Sequence, residues 1–294
     1  MTGTPDLKSL AHLSNAIKEL AAQAAPHVVS VSSRRSRSSG FLWRQGLIVT
    51  ADEALADEGD IAVTLPGGAQ VKATIAGRDP TTDVALLRID AKDGSAVSLQ
   101  PAASSVGALA LVVAAEQGEP RAALGLVARA SGPWRSMRGG EIDARIELDV
   151  SLRRSAEGGL VLDADGLVIG MAVFGPRRRV LVIPSATIER VAVKLETNGR
   201  IARGYLGVGL QPVEIDGGET GAMVMSVDPK GPGAAAGLMQ GDIIASWNGD
   251  RVSHLRSLLR TLGPQSVGQT AALGIKRAGE LRQMKLTIGE RPAD

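Results

Sequence analysis

The 294-residue chain is 44% hydrophobic but only 2% aromatic, with 36 glycines, so it carries enough apolar mass for two packed domains and is not a disordered polymer. A formal net charge of +2 lacks the basic surplus that marks nucleic-acid binding. The absence of cysteine rules out disulfides, thiolate metal sites and a thiol nucleophile, and no run reaches the roughly 18 apolar residues of a membrane span.

Residues 1–25 predict an N-terminal helix. Leu7, Leu10, Leu13, Ile17 and Leu20 recur at spacings of three and four between about Pro5 and Ala25, and Pro26 ends the run. The stripe reads as a packing face, with contact to another copy as the alternative. The first twenty residues lack a basic segment followed by an apolar one, so the chain as given is expected in the cytoplasm. A start further upstream would move that expectation to the periplasm.

Residues 26–198 predict a first globular domain. Short apolar runs (Val28–Ser32, Leu47–Thr50, Ile61–Leu65, Val84–Ile89, Leu109–Ala115, Ala144–Val150, Leu167–Phe174) alternate with turns such as Pro66-Gly67-Gly68 and Asp163-Ala164-Asp165-Gly166. Many strands without long helices between them imply a barrel or sandwich. Ser185–Thr197 then predicts a closing helix, with Ser185 as N-cap, Ile188, Val191, Ala192 and Leu195 on one face, and Gly199 past the end. The segments Arg34, Arg35, Arg37 and Arg177–Arg179 read as solvated loops, with an anionic partner as the alternative.

Residues 204–290 predict a second domain. Its run Val227-Asp228-Pro229-Lys230-Gly231-Pro232, Ala236-Gly237-Leu238, Gly241-Asp242-Ile243-Ile244 and Trp247-Asn248-Gly249 resembles the bacterial PDZ pattern at fixed spacing over about thirty residues. The resemblance implies a groove that accepts a peptide as an added strand and holds its terminal carboxylate on backbone N–H groups. The loop would be Tyr205-Leu206-Gly207-Val208, and the other wall a helix carrying Leu255, Leu258 and Leu259. Asp242 reads as a turn or capping residue.

The first domain resembles the HtrA/Deg family of trypsin-like proteases. The residues that carry the resemblance are Gly40-Phe41, Gly46-Leu47-Ile48-Val49-Thr50, Asp79-Pro80-Thr81-Thr82-Asp83-Val84-Ala85-Leu86-Leu87, Gly158-Gly159, Gly166-Leu167-Val168-Ile169-Gly170 and Ile183-Pro184-Ser185. The implied fold class is mainly β, a chymotrypsin-like double β-barrel followed by an α+β PDZ domain. In the implied triad Asp83 matches the aspartate, but Glu53 stands at the histidine position and Glu157 at the serine position, while Ser155 replaces a glycine that shapes the oxyanion loop. Acyl transfer needs a hydroxyl nucleophile and a base titrating near working pH, so these positions predict no catalytic residues and no enzyme. The predicted function is a non-catalytic, peptide-binding relative that scaffolds or regulates proteases. An active serine-type endopeptidase of the same class is the alternative.

His12, His27 and His254 do not align with the site. Three converging carboxylates require compensation by protons, by Arg153 and Arg154, or by a cation. No cofactor or metal is expected. The implied partners are peptide or protein C-termini, with a homotrimer or an assembly with an active relative, and neither nucleic acid nor a membrane span is expected.

Overall fold

The computed structural model describes residues 7–34, 36–56, 59–91, 95–101, 104–215 and 219–292, with two compact units, residues 1–136 with 141–200 and residues 137–140 with 201–294. Pro5 and Arg35, named above, lie outside the described residues.

In the first unit, helix α1 (Leu7–Ala24) precedes six strands, β1 (Val28–Ser33), β2 (Ser36–Arg44), β3 (Leu47–Thr50), β4 (Ile61–Thr64), β5 (Gln70–Asp79) and β6 (Val84–Ile89). They close as an antiparallel barrel in the order β1-β2-β3-β6-β5-β4. Its interior is the β-branched and leucine set read from the sequence, including Val29, Ile48, Val63, Ala85 and Leu87. With so few aromatics, a small barrel filled by such side chains suits the composition. A second barrel follows from β7 (Leu109–Glu116), β8 (Glu119–Ser131), β11 (Arg145–Asp149), β12 (Leu160–Leu162), β13 (Val168–Phe174) and β14 (Val180–Pro184), in the order β11-β14-β13-β12-β7-β8. A short hairpin of β9 (Trp134–Arg135) and β10 (Glu141–Ile142) interrupts it.

Helix α2 (Ser185–Asn198) buries Ile188, Val191, Ala192 and Leu195 against β5, β6 and β13, so one helix spans both barrels. It ends as predicted: Gly199 adopts φ 69° and donates its N–H to the Leu195 carbonyl. Ser185 is not the N-cap. That place belongs to Pro184, and the Ser185 hydroxyl instead donates to the Val168 carbonyl on β13. Helix α1 is covered only in its C-terminal half. Leu10 and Leu13 are exposed, Ile17 and Leu20 are partly buried, and Ala24 is buried.

The predicted strand runs form strands, but β2, β5 and β8 carry serine, charge or alanine in place of a clean alternation and were not anticipated. The segment of Arg34 and Arg37, read as a solvated loop, belongs to the β1–β2 hairpin, with Arg37 in β2 and Ser38 and Ser39 buried.

The barrels meet at Ser39 of β2. Its hydroxyl donates to the Ser155 carbonyl at 2.7 Å and accepts the Ala115 N–H of β7 at 3.0 Å, with the Ala115 carbonyl at 3.1 Å. Its backbone N–H donates to the Glu157 carbonyl at 2.7 Å, and its own carbonyl accepts the Thr50 hydroxyl at 2.7 Å. Gly158, at φ 87°, lies against this point so closely that an added Cβ would stand 2.1 Å from the Ser39 carbonyl oxygen.

The second unit contains β15 (Gly204–Tyr205), β16 (Val208–Ile215), β17 (Glu219–Val227), α3 (Pro232–Ala235), β18 (Ile243–Trp247), β19 (Asp250–Arg251), α4 (Leu255–Thr261), β20 (Thr270–Arg277), β21 (Glu280–Thr287) and β22 (Gly289–Glu290). The main sheet runs β16-β17-β18-β20-β21, with β19 paired to β18 and a separate β15–β22 pair. Its core gathers Leu206, Val224, Ile244, Trp247, Leu258, Leu273 and Leu286.

Replacing Ser39 with alanine leaves the buried Ala115 N–H and Ser155 carbonyl without this partner. The expected loss is about 1–3 kcal/mol of unfolding free energy, measured by urea denaturation. A Ser39→Ala variant as stable as the parent would refute the role given to this hydroxyl.

Candidate functional site

The interface of the barrels brings Glu53, Asp83 and Glu157 together. Glu53 lies in the turn after β3, and Asp83 in the turn between β5 and β6. Asp83 adopts φ 58°, a left-handed conformation that aspartate tolerates better than most residues. Asp79 braces this turn by accepting the Thr82 hydroxyl and the Thr81 N–H. The Glu53 N–H donates to Asp83 Oδ1 at 2.7 Å. Next to it the buried Asp52 accepts Arg78 Nε at 2.5 Å, and the same guanidinium donates to the Asp52 carbonyl.

Glu157 comes from the other barrel, in the loop between β11 and β12. It follows a single 3-10 turn, Arg154–Ala156, and donates its own N–H to the Arg154 carbonyl at 3.1 Å. Its side chain is buried, and its Oε1 accepts the Phe174 N–H at 3.5 Å. Ser155, predicted to reshape the oxyanion loop, lies inside this turn with its carbonyl held by Ser39.

Burial is the largest influence on both buried carboxyls. It pushes Asp83 up to about 8; the Glu53 N–H opposes this, while the charges of Glu53, Glu157 and Asp52 add to it. Burial also raises Glu157, against the Phe174 N–H and the positive charge of Arg154, with Glu53 adding to the rise. Compensation is therefore by protons and by Arg154. Arg153 faces a different hollow, about 190 Å³ in volume, with Val112, Arg121 and Leu152. Among the described residues no group of three His, Asp or Glu side chains is placed to hold a metal ion. A cleft of about 660 Å³ opens beside the cluster, lined by Ser33, Arg34, Glu53, Leu55 and Arg154.

The histidines lie elsewhere. His12 is on α1, His27 Nδ1 is 2.6 Å from the Ser95 carbonyl, and His254 caps α4 in the second unit.

In the second unit the predicted loop is a tight turn. Gly207 adopts φ 69°, and an added Cβ would stand 2.8 Å from Gly231 Cα. The carbonyls of Leu206 and Gly207 accept the N–H groups of Gly233 and Asp228, both at 2.7 Å. Among the described backbone bonds outside regular elements, the N–H groups of Leu206 and Gly207 donate to none. Tyr205 donates its hydroxyl to Asp228, Leu206 is buried, and Val208 opens β16, an edge strand of the sheet with α4 packed beside it. The leucine stripe of α4 divides: Leu258 is core, Leu255 is partly buried and Leu259 is exposed. Leu258 therefore serves the core first. Asp242 accepts the Met239 N–H in its turn, as expected, and also pairs with both Nε and Nη2 of Arg277.

This architecture is that of a trypsin-like peptidase domain followed by a PDZ domain. Residues 38–171 match the trypsin-like peptidase domain family, and residues 204–288 match the PDZ domain family. A "probable periplasmic serine endoprotease DegP-like" of Bartonella henselae is 32% identical over 87% of this chain and 54% of its own length. Another of that description, from Pseudomonas fulva, is 30% identical over 99% of this chain and 64% of its own. The chain thus spans a little over half the length of the first of these relatives. The crystal structure of a serine endoprotease from Yersinia pestis superposes with a TM-score of 0.70 at 25% identity, covering 94% of this chain and 98% of that one. The HtrA-type protease AlgW with a decapeptide shares the fold at a TM-score of 0.69 and 23% identity, covering 95% and 99%. The chain belongs to the HtrA-like family.

Two expectations are corrected by these relatives. The prediction of no enzyme is overturned, because the homologues are named serine endoproteases. Acids at two triad positions argue against one route to peptide hydrolysis, and that chemical argument does not itself show that activity is lost. The cytoplasmic expectation is likewise unsupported, because the homologues are named periplasmic. Among the described residues no helix is long and apolar enough to cross a membrane.

The raised Asp83 carboxyl gives a pH test. Its folded value, about 8, lies above the ordinary 3.8, so the native state keeps a proton that the unfolded chain releases. This group's contribution to stability is therefore fully present at the acidic end and falls as pH rises through that window. Asp83→Asn keeps an acceptor for the Glu53 N–H and removes the titration. The variant should gain thermal stability over the parent at pH 9 and little or none at pH 4. An equal difference at both ends would show that Asp83 titrates normally.

Proposed function

We propose that the chain is a periplasmic, HtrA-like protein that captures polypeptide through its PDZ domain by strand addition to β16, with Tyr205, Leu206, Gly207 and Val208 receiving a terminal carboxylate. The single observation that carries this reading is the Leu206–Gly207 turn. Its carbonyls are engaged inward, and Gly207 takes a left-handed conformation without a side chain, which directs the remaining N–H groups to the mouth of an open sheet edge. Leu255 and Leu259 of α4 are the side chains available to the opposite wall. The proposed division of the chain is a helix at 1–25, a double barrel at 26–198 and a PDZ domain at 204–290.

The second reading, favoured by the names of the relatives, is endopeptidase activity of the HtrA class acting on the captured chain. In this chain the triad-equivalent positions at the barrel interface hold Glu53, Asp83 and Glu157, so any turnover in the cleft has to run through carboxyl chemistry or through a serine not aligned with the family's.

Peptide capture predicts that a fluorescent peptide with a free C-terminus binds and that its amidated twin binds much more weakly in anisotropy titrations. Equal binding would refute carboxylate recognition. For the second reading, the purified protein is expected to degrade casein and Glu157→Gln to abolish that turnover. Fluorophosphonate labelling of a serine in the cleft, with turnover intact in Glu157→Gln, would instead assign a hydroxyl nucleophile. Failure to cleave any unfolded substrate would overturn the endopeptidase reading and leave peptide capture standing.

A further inference from the structure

Arg177–Arg179 form the edge of a larger basic surface on the second barrel. Along β11, Ile146 and Leu148 enter the core, so the alternating residues Arg145, Glu147 and Asp149 lie on the outer face. Glu147 is only 8% exposed, yet three guanidiniums converge on it. Arg145 Nη2 lies at 2.7 Å, Arg179 Nη1 at 3.5 Å and Arg129 Nη1, from β8, at 3.7 Å. One carboxylate balances one of these charges. Arg177 and Arg178 extend the surface, and the nearest further acid along β11 is Asp149.

One feature sets this surface apart from an ordinary solvated loop, and a second ties it to Glu157 at the barrel interface. Arg177 and Arg178 both adopt φ 58°, two successive left-handed positions occupied by long side chains, which carries a conformational cost that a plain surface turn does not require. The Arg178 guanidinium stands 5.5 Å from the centre of the Phe174 ring, and Phe174 is the residue whose N–H meets Glu157. The basic loop thus leads away from the barrel interface along the continuation of β13.

We propose that this surface binds acidic stretches of extended polypeptide. The carboxylates of the ligand pair with Arg177 and Arg178, and the cluster of Arg129, Arg145 and Arg179 around Glu147 provides the surrounding positive field. A guanidinium fork matches a carboxylate through two parallel N–H donors. The patch is compact and the chain's net charge is only +2, which suits a short acidic segment better than the long phosphate backbone of a duplex. The inference rests on the reading that polypeptide enters the cleft and is independent of the PDZ groove.

The experiment is fluorescence anisotropy with the full chain and amidated oligopeptides, which cannot offer a terminal carboxylate to the PDZ loop. Oligoglutamate should bind and oligoglutamine should not. Arg177→Gln/Arg178→Gln should weaken oligoglutamate binding about tenfold, and salt at about 0.5 M should do the same. Arg282→Gln, in the second unit, should leave it unchanged, and circular dichroism verifies that each variant is folded. Equal binding of the two peptides, or an undiminished affinity in the double variant, overturns the proposal even where casein turnover or PDZ capture is intact. Tighter binding of a DNA duplex than of oligoglutamate overturns it in favour of a nucleic-acid surface.

Discussion

The first unit depends on a serine hydroxyl where two barrels touch. Each barrel closes on its own hydrogen bonds and its own aliphatic core, so neither needs the other for a filled interior. Their registry comes from polar contacts at Ser39, whose buried hydroxyl and backbone N–H each find a partner on the opposite barrel or its loop. Unpaired groups at that depth would be costly, so the geometry is narrowly specified. Gly158 fits there because it has no side chain, and Glu157 is placed by being its neighbour. Helix α2 reinforces the arrangement from outside by covering strands of both barrels.

Once the barrels are fixed, the electrostatics of the interface follow. The turn that carries Asp83 is held by Asp79 and by the Glu53 N–H, and the loop that carries Glu157 is held by Ser39 and Phe174. These anchors bring acids together irrespective of their mutual repulsion. The site responds in two ways, by raising the proton affinity of Asp83 and Glu157 through burial and by setting the positive charge of Arg154 against Glu157. Next to them the buried Asp52 is held directly by the Arg78 guanidinium. The scaffold therefore tolerates a cluster that isolated side chains would avoid, which is a common property of functional clefts.

The second unit solves a different problem with similar means. Gly207, Gly231 and Gly233 let two backbone segments approach within contact distance, and the carbonyls of Leu206 and Gly207 are engaged in holding that approach. Asp242 and Arg277 lock the turn before β18 to the neighbouring strand β20. The loop at Tyr205–Val208 is thereby braced while the adjacent strand edge stays open, the combination that the proposed strand addition requires.

Sequence alone determined the mainly β class, the two-part organisation and the turn residues. Glycine and proline restrict local backbone geometry, and alternating apolar runs restrict which face is buried. The resemblance to the HtrA/Deg and PDZ patterns also marked Glu53, Asp83 and Glu157 as residues to be brought together, and the Gly207 loop as an expected peptide site. Strands β2, β5 and β8 were illegible, because their serines, charges and alanines carry no clear period of two. Ser39 was hidden inside a segment that looked like a solvated Ser/Arg tract, and Ser185 was misplaced as a cap because a hydroxyl's partner 17 residues away leaves no local trace. Only the tertiary structure decided these points. It also split the α4 leucines between core and surface, assigned Arg154 to the acidic cluster, and gathered Arg129, Arg145 and Arg179 on Glu147. Long-range hydrogen bonding and charge proximity are properties of packed strands, and the linear order of residues does not contain them.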